Sequence, residues 1–213
     1  MSHDDFAFEP VKGLPETPPE GERILWQGRP DWWALARESL NMYWVAGYFV
    51  LLAVWRFVTV VDRMPLAEAL SVSTPFLVMG LIVCALLAVL AWVQARATVY
   101  TITNRRVAMR VGAALTVTLN LPYTQIANAN LVLRSRGTGT IALELMGDTR
   151  LSYLVCWPHV RPWHFRTQPA LRCIPEAKAV AELLAEAAEA RVSTPEIKRA
   201  VPPVRDSAAV AAE

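Results

Sequence analysis

Two long stretches of the chain lack the alternation of apolar and polar positions that marks a half-buried soluble element. From Met42 to Val61 about twenty residues are apolar apart from Arg56, and from Pro75 to Val93 no charge occurs. At a rise of about 1.5 Å per residue each stretch reaches close to 30 Å, the thickness of a bilayer's hydrocarbon core. The pattern predicts a transmembrane hairpin over residues 42–94, with helices at about 42–61 and 75–93 and a polar loop from Asp62 to Thr74. Arg29 and Arg37 precede the hairpin and Arg96, Arg105, Arg106 and Arg110 follow it, whereas the loop holds only Arg63. The positive-inside rule then puts both termini in the cytoplasm.

After Arg96 the period changes to two. Val107, Met109 and Val111 alternate with Arg106, Ala108 and Arg110, and Leu115, Val117, Leu119 and Leu121 alternate with Thr116, Thr118 and Asn120. This is the signature of half-buried strands. Further strands are predicted at Ile126–Arg134, Thr140–Met146 and Arg150–Cys156, with turns at Thr103-Asn104-Arg105, Val111-Gly112-Ala113, Arg136-Gly137-Thr138-Gly139 and Gly147-Asp148. Short strands at this spacing indicate an antiparallel barrel or sandwich. A last helix is predicted from about Pro175 to Ala190, with Val180, Leu183, Leu184, Ala187 and Ala188 on one face and Lys178, Glu182, Glu186 and Glu189 left to solvent. Such a helix would cap the barrel, completing a β domain over residues 95–190.

Residues 21–41 pack Trp26, Trp32 and Trp33 with Arg23 and Arg29 just before the first membrane segment. Tryptophan and arginine there suit the headgroup layer, and equally the rings could cover the adjacent β domain. A short interfacial helix is expected from Asp31, which can cap it. The Pro-rich ends, 1–20 and 191–213, are expected to be a disordered arm and tail.

Composition narrows the function. A net charge of +2 and the lack of a dense basic run argue against nucleic-acid binding. Cys84, Cys156 and Cys173 have no close spacing, so neither a zinc site nor a disulfide framework is expected. His159 and His164 flank Pro162 in the loop Trp157–Phe165, five residues apart and without paired carboxylates. A structural or interface role is expected of them rather than a catalytic or metal role. There is no Gly-rich phosphate loop, and neither membrane segment has a histidine to ligate a chlorophyll-type pigment. No enzyme activity and no cofactor are expected.

The candidates for interaction are Trp26, Arg29, Trp32, Trp33, Arg56, Arg105, Arg106, Arg110, Trp157, His159 and Trp163, because Trp and Arg are frequent interface anchors. Arg56 reads either as an anchor snorkelling to the polar boundary at Asp62 or as a partner for another protein's helix. The group Arg105, Arg106 and Arg110 reads either as a solvated hairpin face or as a surface for lipid headgroups or an acidic protein.

The run Tyr100-Thr101-Ile102-Thr103-Asn104-Arg105-Arg106-Val107-Ala108-Met109-Arg110-Val111-Gly112 after a membrane hairpin resembles the opening strands of bacterial pleckstrin-homology-like (PH-like) domains. With Ile24–Pro30 before the hairpin, and Trp157–Trp163 and Ala170–Pro175 after the strands, the chain is similar to the photosynthetic complex assembly proteins of purple bacteria. The resemblance implies a membrane α+β protein: a two-helix transmembrane hairpin, then a cytoplasmic PH-like antiparallel β-barrel capped by a C-terminal helix. It also implies the bacterial inner (intracytoplasmic) membrane as location. The implied function is assembly of the photosynthetic reaction centre, with reaction-centre subunits and core antenna polypeptides as partners; membrane lipids are a further expected partner, and the sequence leaves a homodimer open. A lipid-sensing or regulatory membrane-anchored module is the alternative.

Overall fold

The computed structural model describes residue 11 and residues 13–113, 116–134, 137–147, 151–162 and 166–193, the side chain of residue 192 excepted. The chain begins its sheet before the hairpin. Strand β1 (Ile24–Gly28) leads through helix α1 (Trp32–Glu38) into the long helices α2 (Met42–Val60) and α3 (Leu66–Ala97), and the chain returns as β2 (Val99–Thr103). Strands β1 and β2 pair antiparallel, with Gly28 opposite Tyr100, so the helices are an insertion between neighbouring strands. Both feet of the hairpin are therefore held in one sheet. Trp26 lies half-buried in β1 and packs on the barrel core, so its ring covers the β domain.

Strands β3 (Arg106–Val111) and β4 (Val117–Pro122) complete the first sheet in the order β1-β2-β3-β4. A 3-10 turn at Tyr123–Gln125 leads to the second sheet, β5 (Ile126–Leu133), β6 (Thr138–Leu145) and β7 (Ala170–Pro175), in that order. A short helical turn, α4 (Tyr153–Cys156), lies between β6 and β7, and helix α5 (Ala177–Ser193) ends the described chain. The core is enclosed by Tyr100, Ile102, Met109, Ile141, Leu143 and Leu171, with Val180, Leu184 and Ala187 of α5 packed across it. That is the apolar face of α5 expected from its spacing. This is the PH-like architecture of two antiparallel sheets and a C-terminal helix.

Helices α2 and α3 are long and apolar enough to cross a membrane, and only 11% of each apolar window is buried. A core helix of a soluble protein would hide most of that surface. Their packing depends on Gly80, where an added Cβ would lie 2.6 Å from Phe49 Cβ. Helix α3 starts at Leu66, nine residues before the expected Pro75, and its 32 residues reach about 48 Å. The polar residues that suggested a loop support the helix instead: the hydroxyls of Ser71, Ser73 and Thr74 donate to the carbonyls of Glu68, Ala69 and Leu70.

Three further expectations are corrected. The strand predicted at Arg150–Cys156 is, over the described residues, the helical turn α4, and the neighbour of β6 opposite β5 is β7. Pro175 ends β7, facing Thr138, and α5 begins two residues later after Glu176 in a left-handed conformation (φ +52°). The N-terminal arm is in part packed: Leu14 is buried, and a Cβ on Gly13 would lie 2.6 Å from Val99 Cγ1. The rest of the arm, residues 1–10 and 12, and the tail 194–213 lie outside the described residues.

Candidate functional site

The helix–barrel junction is a densely bonded, buried polar site. Helix α1 is capped by Asp31, whose Oδ1 accepts the Ala34 N–H at 2.6 Å, while the Asp31 N–H donates to the Cys173 carbonyl at 2.8 Å. Ala34 and Leu35 of α1 pack on Ala95 of α3 and Cys173 of β7. Ala36 and Leu40 pack on Ala91, with Trp33 alongside. Helix α1 thus wedges between the last turns of α3 and the barrel. Asn41, in a left-handed conformation (φ +52°), then redirects the chain into α2.

At the centre lies His159, fully buried. The Thr98 hydroxyl donates to the Gln94 carbonyl of α3 at 2.8 Å, which leaves its oxygen to accept from His159 Nε2–H at 3.0 Å. Nδ1 is then the acceptor for the Tyr100 O–H at 2.6 Å, and the Tyr100 oxygen accepts the Arg172 backbone N–H at 3.2 Å. A single chain of hydrogen bonds runs from the end of α3 through β2 to β7. Only a neutral imidazole completes it.

Arg172, buried in β7, ties in the other foot. Nη1 donates to the carbonyls of Pro158 and Val160 at 3.3 and 3.4 Å, and Nη2 donates to the Glu38 carbonyl at 3.2 Å. Glu38 closes α1, where the helix dipole favours a cation. Burial, together with the nearby Arg172 charge, lowers the His159 pKa to about 3. Burial raises Tyr100 far above its ordinary value and, with the Glu38 carboxylate, pushes the Cys173 thiol up to about 12. All three groups are neutral at physiological pH, which suits a structural joint rather than proton transfer or nucleophilic attack. Among the described residues, no three His, Cys, Asp or Glu side chains are grouped so as to hold a metal ion.

The structure spreads the sequence-derived candidates over distinct places. His159 is inside the junction and offers no surface to a partner. Trp32 and Trp33 stand edge-to-face at 5.4 Å on α1, Trp32 exposed, and Arg29 is exposed just before them. Trp157 is exposed beside the buried Pro158, whereas Trp163 lies outside the described residues.

Arg56 is exposed on α2. With Phe49 against Gly80 in an antiparallel pair, Arg56, seven residues on, falls level with Ser73, among the polar residues that open α3. The arginines after the hairpin do not form one patch. Arg110 pairs with Val99 at the foot of the sheet, and Arg106 is four residues away, about 13 Å along the strand. Arg106 Nε is bonded at 2.9 Å to the Glu22 carboxylate, whose side chain is nearly buried. Of these three arginines only Arg105 is exposed.

Arg172, Thr98 and Tyr100 escaped the sequence reading as site residues. The available signal was a single charge inside the apolar run Ala170–Ile174, since such a charge is buried only with partners. A second concavity, a groove of about 340 Å³, lies between β5 and α5 and is lined by Ile126, Leu131, Leu184 and Ala188 among others. Strand β5 is one edge of its sheet.

Comparison with known proteins agrees with this architecture. The family profile described as "Bacterial PH domain" matches residues 41–188. A protein of Rhodobacter capsulatus described as "Uncharacterized 23.7 kDa protein in puhA 5'region" is 48% identical over 200 residues, covering 92% of this chain and 94% of that protein. No solved structure matches the chain. With two antiparallel sheets, a C-terminal helix and a family match over more than half its length, the chain belongs to the bacterial PH domain family.

Proposed function

We propose that this chain is a non-enzymatic, membrane-anchored assembly factor for the photosynthetic reaction centre and its core antenna. In this reading α2 and α3 span the bilayer, both chain ends are cytoplasmic, and the barrel stands at the cytoplasmic surface. The observation that carries it is an outward-facing apolar helix pair fixed to a barrel through the His159–Arg172 junction. A client helix lying against α2 and α3 would then be held in fixed relation to a client surface on the barrel. Two exposed tryptophans bracket a span of membrane thickness: Trp55 falls level with residue 74 of α3, and Trp92 lies eighteen residues further, about 27 Å, with Trp44 between those levels. Arg56 sits at the outer boundary, an anchor, while Arg96 lies 4.3 Å over the Trp92 ring at the inner one.

The relative whose name places it 5′ of puhA supports the same reading, in agreement with the sequence resemblance to photosynthetic assembly proteins. The alternative of a lipid-regulated module working through Arg105, Arg106 and Arg110 together does not fit the separation of Arg110 from Arg106 along β3 or the Glu22 pairing of Arg106. The test is affinity capture of the tagged full chain from photosynthetic membranes at successive stages of complex formation. Co-purification of reaction-centre and antenna polypeptides at early stages is expected; recovery only in fractions free of them would overturn the proposal.

A further inference from the structure

We propose that the segment Tyr153–Trp157 is a third membrane contact, an apolar wedge seated in the headgroup layer of the leaflet from which the helix pair enters. The inference rests on the membrane-spanning reading of α2 and α3. It concerns a different part of the chain, a loop between two strands of the barrel.

Leu151–Trp157, Leu-Ser-Tyr-Leu-Val-Cys-Trp, carries no charge. Its apolar side chains are turned outward: Leu154 is 85% exposed, Tyr153 and Val155 47% each, and Trp157 39%. A soluble loop of this size that presents Tyr, Leu, Val and Trp together leaves a contiguous apolar patch, which marks a contact. Aromatic residues flanking aliphatic ones suit the water–lipid boundary, where the rings sit at headgroup level.

The base of the segment says which surface covers the patch. Trp157 N–H donates to the Tyr153 carbonyl at 2.9 Å and His159 N–H to the Cys156 carbonyl at 2.7 Å, so the turn is closed on itself. His159 is bonded to Thr98, the residue after α3, and Arg172 links the Pro158 carbonyl to Glu38, four residues before α2. Both helix feet are thus fixed to the loop base. Through a helical turn and two further residues, Leu154 stays within about 12 Å of His159. The patch therefore stays within about 12 Å of a residue bonded directly to the foot of α3. Arg96, over Trp92, and Arg161, bonded to Gln168, are the nearby cations available to anionic headgroups.

The test places a nitroxide at Leu154→Cys in the full chain, reconstituted in nanodiscs of phosphatidylethanolamine and phosphatidylglycerol. The reference sites are Leu81→Cys in α3 and Lys178→Cys on α5. Leu154 is the most exposed residue of the segment, so its replacement leaves the fold intact; the part-buried Cys84 of α3 is first removed as Cys84→Ala in every variant, and the buried Cys156 and Cys173 give a background measured on that Cys84→Ala chain. The expected result is preferential collision with oxygen over a water-soluble nickel relaxant at 154 and 81, with the reverse at 178. A lipid signature at 81 with a water signature at 154 overturns the wedge while leaving the hairpin in the bilayer. Water signatures at both sites overturn the spanning reading as well. Water exposure at 154 that disappears only on adding photosynthetic complexes assigns the patch to a protein client and also overturns the proposal.

Discussion

The Nδ1 atom of His159 lies 2.6 Å from the hydroxyl of Tyr100, and no solvent reaches either ring. The hydroxyl also accepts the Arg172 N–H, so removing it strands a donor and an acceptor at once. Tyr100→Phe is expected to lower the stability of the full chain by about 2–6 kcal/mol, from about 1–3 kcal/mol for each of the two buried orphaned groups. The measurement is denaturant unfolding in detergent. In a cycle with His159→Ala, the double variant should lose clearly less than the sum of the singles, because both act through one bond.

The neutrality of His159 gives the junction a pH dependence of definite sign. The folded pKa is about 3 against an ordinary 6.5, so between these values the unfolded chain binds a proton that the folded chain does not. Stability from this group is complete above pH 6.5 and is lost as pH falls, by at most about 1.4 kcal/mol per unit, levelling off below pH 3. His159→Gln, which cannot take up the proton, should flatten the profile between pH 6.5 and 4.5. A profile with the same slope in that variant would assign the effect to other groups.

Arg172 makes three bonds to main-chain carbonyls, two in one loop and one at a helix end. Lysine places one compact ammonium where a planar fork reaches three acceptors, so Arg172→Lys is expected to destabilise nearly as much as Arg172→Met. Both should cost about 3 kcal/mol or more. Both should also increase proteolysis between α1 and α2 and at the α3–β2 link, since those segments lose their common tie. Full rescue by lysine would mean that charge alone, not the fork, holds the junction.

Within the hairpin the decisive position is Gly80. Any side chain there meets Phe49, so Gly80→Leu is expected to separate α2 from α3 and cost about 1–3 kcal/mol. Adding Phe49→Ala should recover part of the loss. Thermal unfolding of the purified chain, followed by helix signal, reads both effects.

The parts of the fold that announced themselves were those whose order is local. Period-two alternation marked β3 and β4, turn signals bounded β5 and β6, and the i, i+3, i+4, i+7 spacing of Val180, Leu183, Leu184 and Ala187 marked the buried face of α5. Strand β1 was less legible because its partner β2 lies beyond the whole hairpin, and Trp26 and Arg29 read as well at a membrane surface as in a sheet. The early start of α3 was hidden by serines and threonines that bond their own helix. The role of His159 depended on residues about sixty positions earlier, Thr98 and Tyr100, which no local pattern joins to it. The apparent cluster Arg105, Arg106 and Arg110 was a closeness in sequence that an extended strand pulls apart.

The central proposal is that the chain serves the building of photosynthetic complexes. The most direct measurement is the membrane content of assembled reaction centre, read from pigment absorbance and subunit blots, in cells lacking the chain and in cells given it back. A several-fold fall in reaction centre, with its transcripts unchanged and full recovery on return of the intact chain, is the predicted result. An unchanged reaction-centre content in the cells lacking it would contradict the account.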